Sequence, residues 1–177
     1  LTRTVGWFTS VFPARLSAEG DLGAALKGIK EQLRAIPNKG IGFGILRYLG
    51  QAADREALAR LPQPRITFNY LGQFDQRFDE QALFVPGEEG SGDGHGDDVP
   101  LGNWLTINGK VFDGRLSLDW TFSREVFDIA VMERLEGAYG AALERLIDHC
   151  CDEGIQGLTP SDFPLAGLNQ KQLDALP

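Results

Sequence analysis

Between Trp104 and Phe122 the chain carries two dipeptides that favour a two-residue hairpin turn, Asn108-Gly109 and Asp113-Gly114. Only the second leaves strands long enough to be useful. A turn there sets Phe112 opposite Arg115, Val111 opposite Leu116, Gly109 opposite Leu118, Ile107 opposite Trp120 and Leu105 opposite Phe122. Because side chains alternate across a strand, one side of this hairpin is then apolar throughout, and a slip of one residue would turn that whole set to water. Lys110 and Asp119 fall on the other side as surface charges. With helical patterns before and after the hairpin, the expected class is α/β, of the α+β type in which helices layer on a sheet.

A second extended stretch is Arg65-Ile-Thr-Phe-Asn-Tyr-Leu-Gly-Gln-Phe-Asp75, opened by Pro64. Alternation puts Ile66, Phe68 and Tyr70 on one face and Thr67, Asn69 and Leu71 on the other, with Gly72 as its end. Asn and Tyr at the end of a strand bring hydrogen-bonding groups that must be satisfied when buried. They point either to a core polar network or to the wall of a ligand passage, and the stretch alone leaves both open.

The remaining segments read as follows. Leu1 to Leu16 is extended, with Gly6 as a bulge and Pro13 as a break, and a start in mid-strand implies upstream residues that supply neighbouring structure. Asp21 caps a helix whose apolar positions run from Leu22 through Leu26 and Ile29 to Ile36, and Pro37 stops it. In Pro37-Asn-Lys-Gly-Ile-Gly-Phe-Gly44 the Lys precedes the glycines and no Ser or Thr follows, so a phosphate-binding loop is not matched. A tight connection with close backbone approach is expected instead. Ile45 to Leu49 and Ala52 to Leu61 read as short helices, the latter with Ala57, Leu58 and Leu61 inward. From about Asp128 to Cys151 a longer helix buries Met132, Leu135, Tyr139, Ala142, Leu143, Leu146, Ile147 and Cys150, and leaves His149 as an exposed partner of the helix dipole.

Composition excludes several classes of function. The 177 residues suit one domain or a large subdomain, and a net charge of -8, from 17 basic and 25 acidic residues, argues against nucleic acid. No run is long and apolar enough for a membrane span and no signal-peptide layout opens the chain, so a cytoplasmic setting is expected. Residues 86–100 form a Gly-rich acidic loop, expected to be mobile. Within it, His95 with Asp93, Asp97 and Asp98 matches no Ca²⁺ loop, and no metal site is expected. Adjacent Cys150 and Cys151 offer neither an ordinary bridge nor metal-ligand spacing. Residues 1–157 are expected as the folded part and 158–177 as a linker toward another domain. No nucleophile elbow and no Cys-His set is visible, so the residues by themselves do not make a complete active site.

Three stretches carry a resemblance. Arg3-Thr-Val-Gly-Trp-Phe-Thr-Ser-Val-Phe-Pro13, Pro37-Asn-Lys-Gly-Ile-Gly-Phe-Gly44 and Phe68-Asn-Tyr-Leu-Gly-Gln73 resemble, in order and spacing, the last three signature motifs of epimerization domains in nonribosomal peptide synthetases. The departure is Phe43, where the family often has Tyr. The resemblance implies a chloramphenicol-acetyltransferase-like fold of two α/β subdomains in a V, this chain being most of the C-terminal one. It implies a tunnel that admits the 4'-phosphopantetheine arm of a peptidyl carrier protein, with no cofactor bound directly. There an aminoacyl or peptidyl thioester is inverted from L to D at its α-carbon. The family's catalytic His and Glu come from His-His-x-x-x-Asp-Gly and Glu-Gly-His-Gly-Arg motifs that lie upstream of Leu1, so the fragment alone is expected to be inactive. Asn69 and Tyr70 match tunnel-facing positions, as substrate-positioning or enolate-facing groups. Trp7, Phe8 and Thr9 match the first motif, as tunnel floor or subdomain packing. The implied partners are the carrier protein, the N-terminal half of the same domain and a downstream module. The rival expectations are a condensation domain, which joins two carrier-bound thioesters, and a non-catalytic platform for carrier docking.

Overall fold

Asp113 and Gly114 both adopt positive φ, 52° and 64°, as a two-residue hairpin turn matched to strand twist requires. Three strands occur among the described residues, β1 (Ile66–Gln73), β2 (Leu105–Phe112) and β3 (Arg115–Phe122), and this turn joins the last two. They pair antiparallel in the register read from the sequence, with Leu105 opposite Phe122 and Phe112 opposite Arg115. The computed structural model describes residues 4–6, 8–74, 92, 101–152 and 157–175. It divides into two units, residues 63–136 and residues 1–62 with 137–177.

In the first of these units β1 runs parallel to β2, giving a three-stranded sheet of order β1-β2-β3 in which Asn69 lies opposite Asn108 and Tyr70 opposite Gly109. Gly72 does not end β1. It sits at φ 91° inside an irregularity between Tyr70 and Gln73, after which the N–H of Phe74 donates to the Val111 carbonyl at 3.0 Å. One face of β2 buries Leu105 and Ile107 with Met132, at 3, 6 and 4 % exposure, and Leu118, Trp120, Phe122 and Phe127 close around them. Met132 comes from the start of helix α4 (Ile129–Cys151), where the Asp128 carboxylate accepts the Ala130 N–H at 2.9 Å. Numbering in chain order, α4 is preceded by α1 (Leu22–Arg34), α2 (Ile41–Gly44) and α3 (Ala52–Ala59), and followed by α5 (Gln170–Asp174).

The other unit is built on α1, whose first turn is capped by the Asp21 carboxylate accepting from the Ala24 N–H at 2.8 Å. After it, Asn38, Lys39 and Gly40 hold φ of 48°, 54° and 78°, three left-handed residues in succession. The buried Gly40 lies beneath the Phe12 ring, which fills the place a Cβ would occupy, while Gly42 and Gly44 face open space. Of the three alternating glycines, then, one is required by close approach, and what approaches is an aromatic ring. Ile45–Leu49 forms a π-turn, in α3 Leu58 is half-buried and Ala57 exposed, and Leu61, beyond the helix end, is exposed as well. No strand is assigned to residues 4–6 or 8–16, although the sequence there is β-prone.

Residues 158–175, expected as a linker, pack in the structure against α1. Thr159 is fully buried and opens a 3-10 turn over Pro160–Asp162 with a reciprocal capping box. The Ser161 hydroxyl donates to Glu31, and the Asp162 carboxylate takes Lys30 Nζ and Arg34 Nη1, each at 2.6 Å. On α5, Leu173 is buried and Asp174 pairs with Lys27 at 3.0 Å. The inward stripe of α4 is narrower than its sequence implies. Met132 is buried and Tyr139, Leu143 and Leu146 are half-buried, whereas Leu135, Ala142, Ile147 and Cys150 are exposed. His149 is not the exposed dipole partner expected. Its ring is half-buried against Gly23, with Nε2 lacking a hydrogen-bond partner among the described residues. The expected acidic loop over 86–100, Gly92 apart, lies outside the described residues.

Candidate functional site

The two faces of the sheet differ in chemistry because strands with period-two patterns lie in register. On one face Thr67, Thr106 and Thr121 line up across the three strands, and beside them Asn69, Asn108 and Asp119 form a second polar row. Asn69 is half-buried and donates through Nδ2 to Asn108 Oδ1 at 3.2 Å. Asn103, just before β2, donates to the Thr67 hydroxyl.

Tyr70 belongs to the opposite face. Its ring lies over Gly109, where an added Cβ would stand 3.3 Å from Tyr70 Cδ2 and 3.0 Å from Leu118 Cδ2. Ile66 and Phe68 share that face, yet they stay out of the buried cluster. Phe68 is 57 % and Tyr70 50 % exposed. Among the described residues β1 has no partner on its outer edge. At the strand's entry, the Arg65 guanidinium stacks 4.1 Å from the Trp104 ring centroid, and Trp104 meets Phe127 edge-on at 6.2 Å.

Asn69 and Tyr70, grouped by the resemblance, are thus neighbours in sequence that project from opposite faces of one edge strand. Phe8 and Thr9 lie in the other unit and are exposed, and Trp7 is outside the described residues. Sequence reading missed Asn108 and Asn103. The signal for Asn108 was present in Asn108-Gly109, a turn-favouring dipeptide that the hairpin register sets in mid-strand. Asn is poorly suited to a central strand, and its presence there calls for a reason.

Carboxamides, a phenol and hydroxyls can bind, orient and donate, but none is a base near neutral pH. Of the two histidines of the chain, His95 is outside the described residues and His149 is on the part of α4 that belongs to the other unit. Among the described residues no group of three or more His, Cys, Asp or Glu side chains is placed to hold a metal ion, and no helix is long and apolar enough to cross a membrane.

The family model of the condensation domain matches residues 1–164. A linear gramicidin synthase subunit from Brevibacillus parabrevis is 47 % identical over 180 residues, covering 98 % of this chain and 3 % of that protein. Surfactin synthase subunit 1 of Bacillus subtilis (strain 168) is 38 % identical over 178 residues, covering 99 % and 5 %. The crystal structure of the epimerization domain from the third module of tyrocidine synthetase B superposes with a TM-score of 0.72 at 35 % identity, covering 84 % of this chain and 33 % of that one. The chain therefore spans a small part of the synthetases it matches and about a third of the solved domain.

Proposed function

The chain belongs to the condensation-domain family of nonribosomal peptide synthetases, within the superfamily shared by condensation and epimerization domains, and from that premise we propose that it forms one wall of an epimerization tunnel. The parent domain would take an aminoacyl or peptidyl thioester on the 4'-phosphopantetheine of a carrier protein and invert its α-carbon from L to D. The likeness to a solved epimerization domain carries this reading, and the resemblance of Phe68-Asn-Tyr-Leu-Gly-Gln73 to a family motif supports Asn69 and Tyr70 as wall residues.

The chemistry has two demands. The thioester acidifies the α-proton, and the enolate formed on its removal needs hydrogen-bond donors aimed at its oxygen. Tyr70 offers a donor from one side of the β1 edge and Asn69 a positioning group from the other. The base must come from the rest of the domain, because neither a His-His-x-x-x-Asp-Gly nor a Glu-Gly-His-Gly-Arg motif occurs in these 177 residues. By the resemblance, Trp7, Phe8 and Thr9 would serve as tunnel floor or as subdomain packing. The N-terminal half of the domain, a carrier protein and a downstream module, in a cytoplasmic setting, complete the assignment.

Loss of isotope from the α-carbon of a carrier-bound substrate tests it. In the intact domain Tyr70→Phe is expected to slow that loss by about 100-fold, and an unchanged rate removes Tyr70 from the mechanism. The 177 residues alone are expected to show none. A condensation reading draws on the name of the matching family model. Solvent deuterium entering the α-carbon without peptide-bond formation decides for epimerization. Peptide-bond formation without such exchange decides for condensation, and neither activity in the intact domain would leave a docking platform.

A further inference from the structure

Resting on the reading just given, we infer that Asn108-Gly109 on β2 is the positioning pair that sets both Asn69 and Tyr70. The register places each of the two against one member: Asn69 opposite Asn108 and Tyr70 opposite Gly109. Asn108 acts through chemistry. Its Oδ1 holds the Asn69 Nδ2 at 3.2 Å, which fixes the plane of the Asn69 carboxamide and so the directions of its second N–H and its Oδ1. Gly109 acts through shape. The Tyr70 ring and the Leu118 side chain both occupy the space above it, and a Cβ there would meet them at 3.3 and 3.0 Å.

A local conflict supports the same conclusion independently. Asn-Gly is among the strongest hairpin-turn dipeptides, and both residues are disfavoured inside strands. Here it stands in the middle of the central strand, while the neighbouring Asp113-Gly114 makes the turn. Sequences break such local rules chiefly at functional or strained sites. Each works through the side chain across from it.

The test uses the intact domain with its loaded carrier protein and follows α-carbon isotope exchange together with thermal unfolding. Asn108→Ala is expected to slow exchange about tenfold with little change in unfolding temperature, because misplacement alone can cost this much. In an Asn69→Ala background the same change should have no further effect. The swap Asn108→Asp with Asp119→Asn keeps an acceptor at 108 and one carboxylate in the row, and should restore exchange to within about threefold of the parent. Gly109→Ala should slow exchange in the parent and have no further effect with Tyr70→Ala. If Asn108→Ala exchanges at the parent rate while Asn69→Ala is slow, the positioning role is overturned and the tunnel reading survives. If Asn69→Ala and Tyr70→Phe both exchange at the parent rate, the tunnel reading fails and takes this inference with it. Should Asn108→Ala not fold, the swap decides, since a folded but slow swap overturns the role.

Discussion

Gly40 shows how much one hydrogen atom in place of a methyl can hold. It is buried, left-handed, and covered by the Phe12 ring, so Gly40→Ala adds both a backbone penalty and a steric one, together about 2–4 kcal/mol. Chemical denaturation of the intact domain should register that loss, and Gly40→Ala with Phe12→Ala should cost less than the sum of the two, as coupled neighbours do. Sequence reading singled out a glycine-rich connection without saying which glycine mattered, because the Phe12 contact bridges a separation that no local pattern records. Asn69 and Tyr70 illustrate the opposite case. That they face apart follows from strand alternation alone, whereas the partner of each, Asn108 or Gly109, needed the parallel pairing to be known.

At the level of elements, the hairpin was legible and the docking of the C-terminal segment was not. Turn chemistry and period-two patterning are both local, and they agree on one register of β2 with β3. Gly114→Ala, at φ 64°, is expected to cost about 1 kcal/mol, read as a lowered denaturation midpoint with an unchanged slope. The segment from Thr159 is held by α1, far away in sequence, although Thr159-Pro-Ser-Asp162 did carry a capping signature. Its carboxylates make it sensitive to acid. Lys30 and Arg34, with the Thr159 N–H, hold Asp162 well below its ordinary 3.8; Ser161 and Thr159 lower Glu31 from 4.5; Gln170 and then Lys27 lower Asp174 from 3.8. A lowered carboxylate favours the docked state above its unfolded value and gives up that contribution as pH falls through its folded value. Amide protection over residues 158–175 should therefore hold from neutrality to about pH 4.5 and decline below it. Asp162→Asn should weaken protection at neutral pH and flatten the acid response.

For the whole molecule, the balance of buried and exposed apolar surface is uneven. Leu105, Ile107, Met132 and Leu173 are the buried hydrophobic residues among those described, while Ile66, Phe68, Tyr70 and Leu71 on β1 and Ile41, Ile45, Tyr48 and Leu49 beyond the Gly40 turn are exposed. Exposed apolar clusters of this kind mark interaction surfaces. The 177 residues alone are expected to bind a hydrophobic dye and to associate with rising concentration, and the β1 cluster should be protected from oxidative footprinting in the intact domain. Composition indicated enough apolar residues for a core, and it could not indicate that so much apolar surface would be exposed among the described residues.

The parallel pairing of β1 with β2 also carries a cost during synthesis. A parallel neighbour cannot be supplied by a tight turn, and β1 leaves the ribosome before residues 74–104 and before the strand it joins. At about 5–20 residues per second the delay is on the order of seconds. Throughout that interval Ile66-Thr-Phe-Asn-Tyr-Leu71, uncharged, free of proline and β-prone, is the kind of segment that finds a copy of itself on an adjacent nascent chain. Crowded polysomes and fast overexpression would turn this ordering into insoluble product, while slower translation between codons 74 and 104 would not shorten the wait but lengthen it.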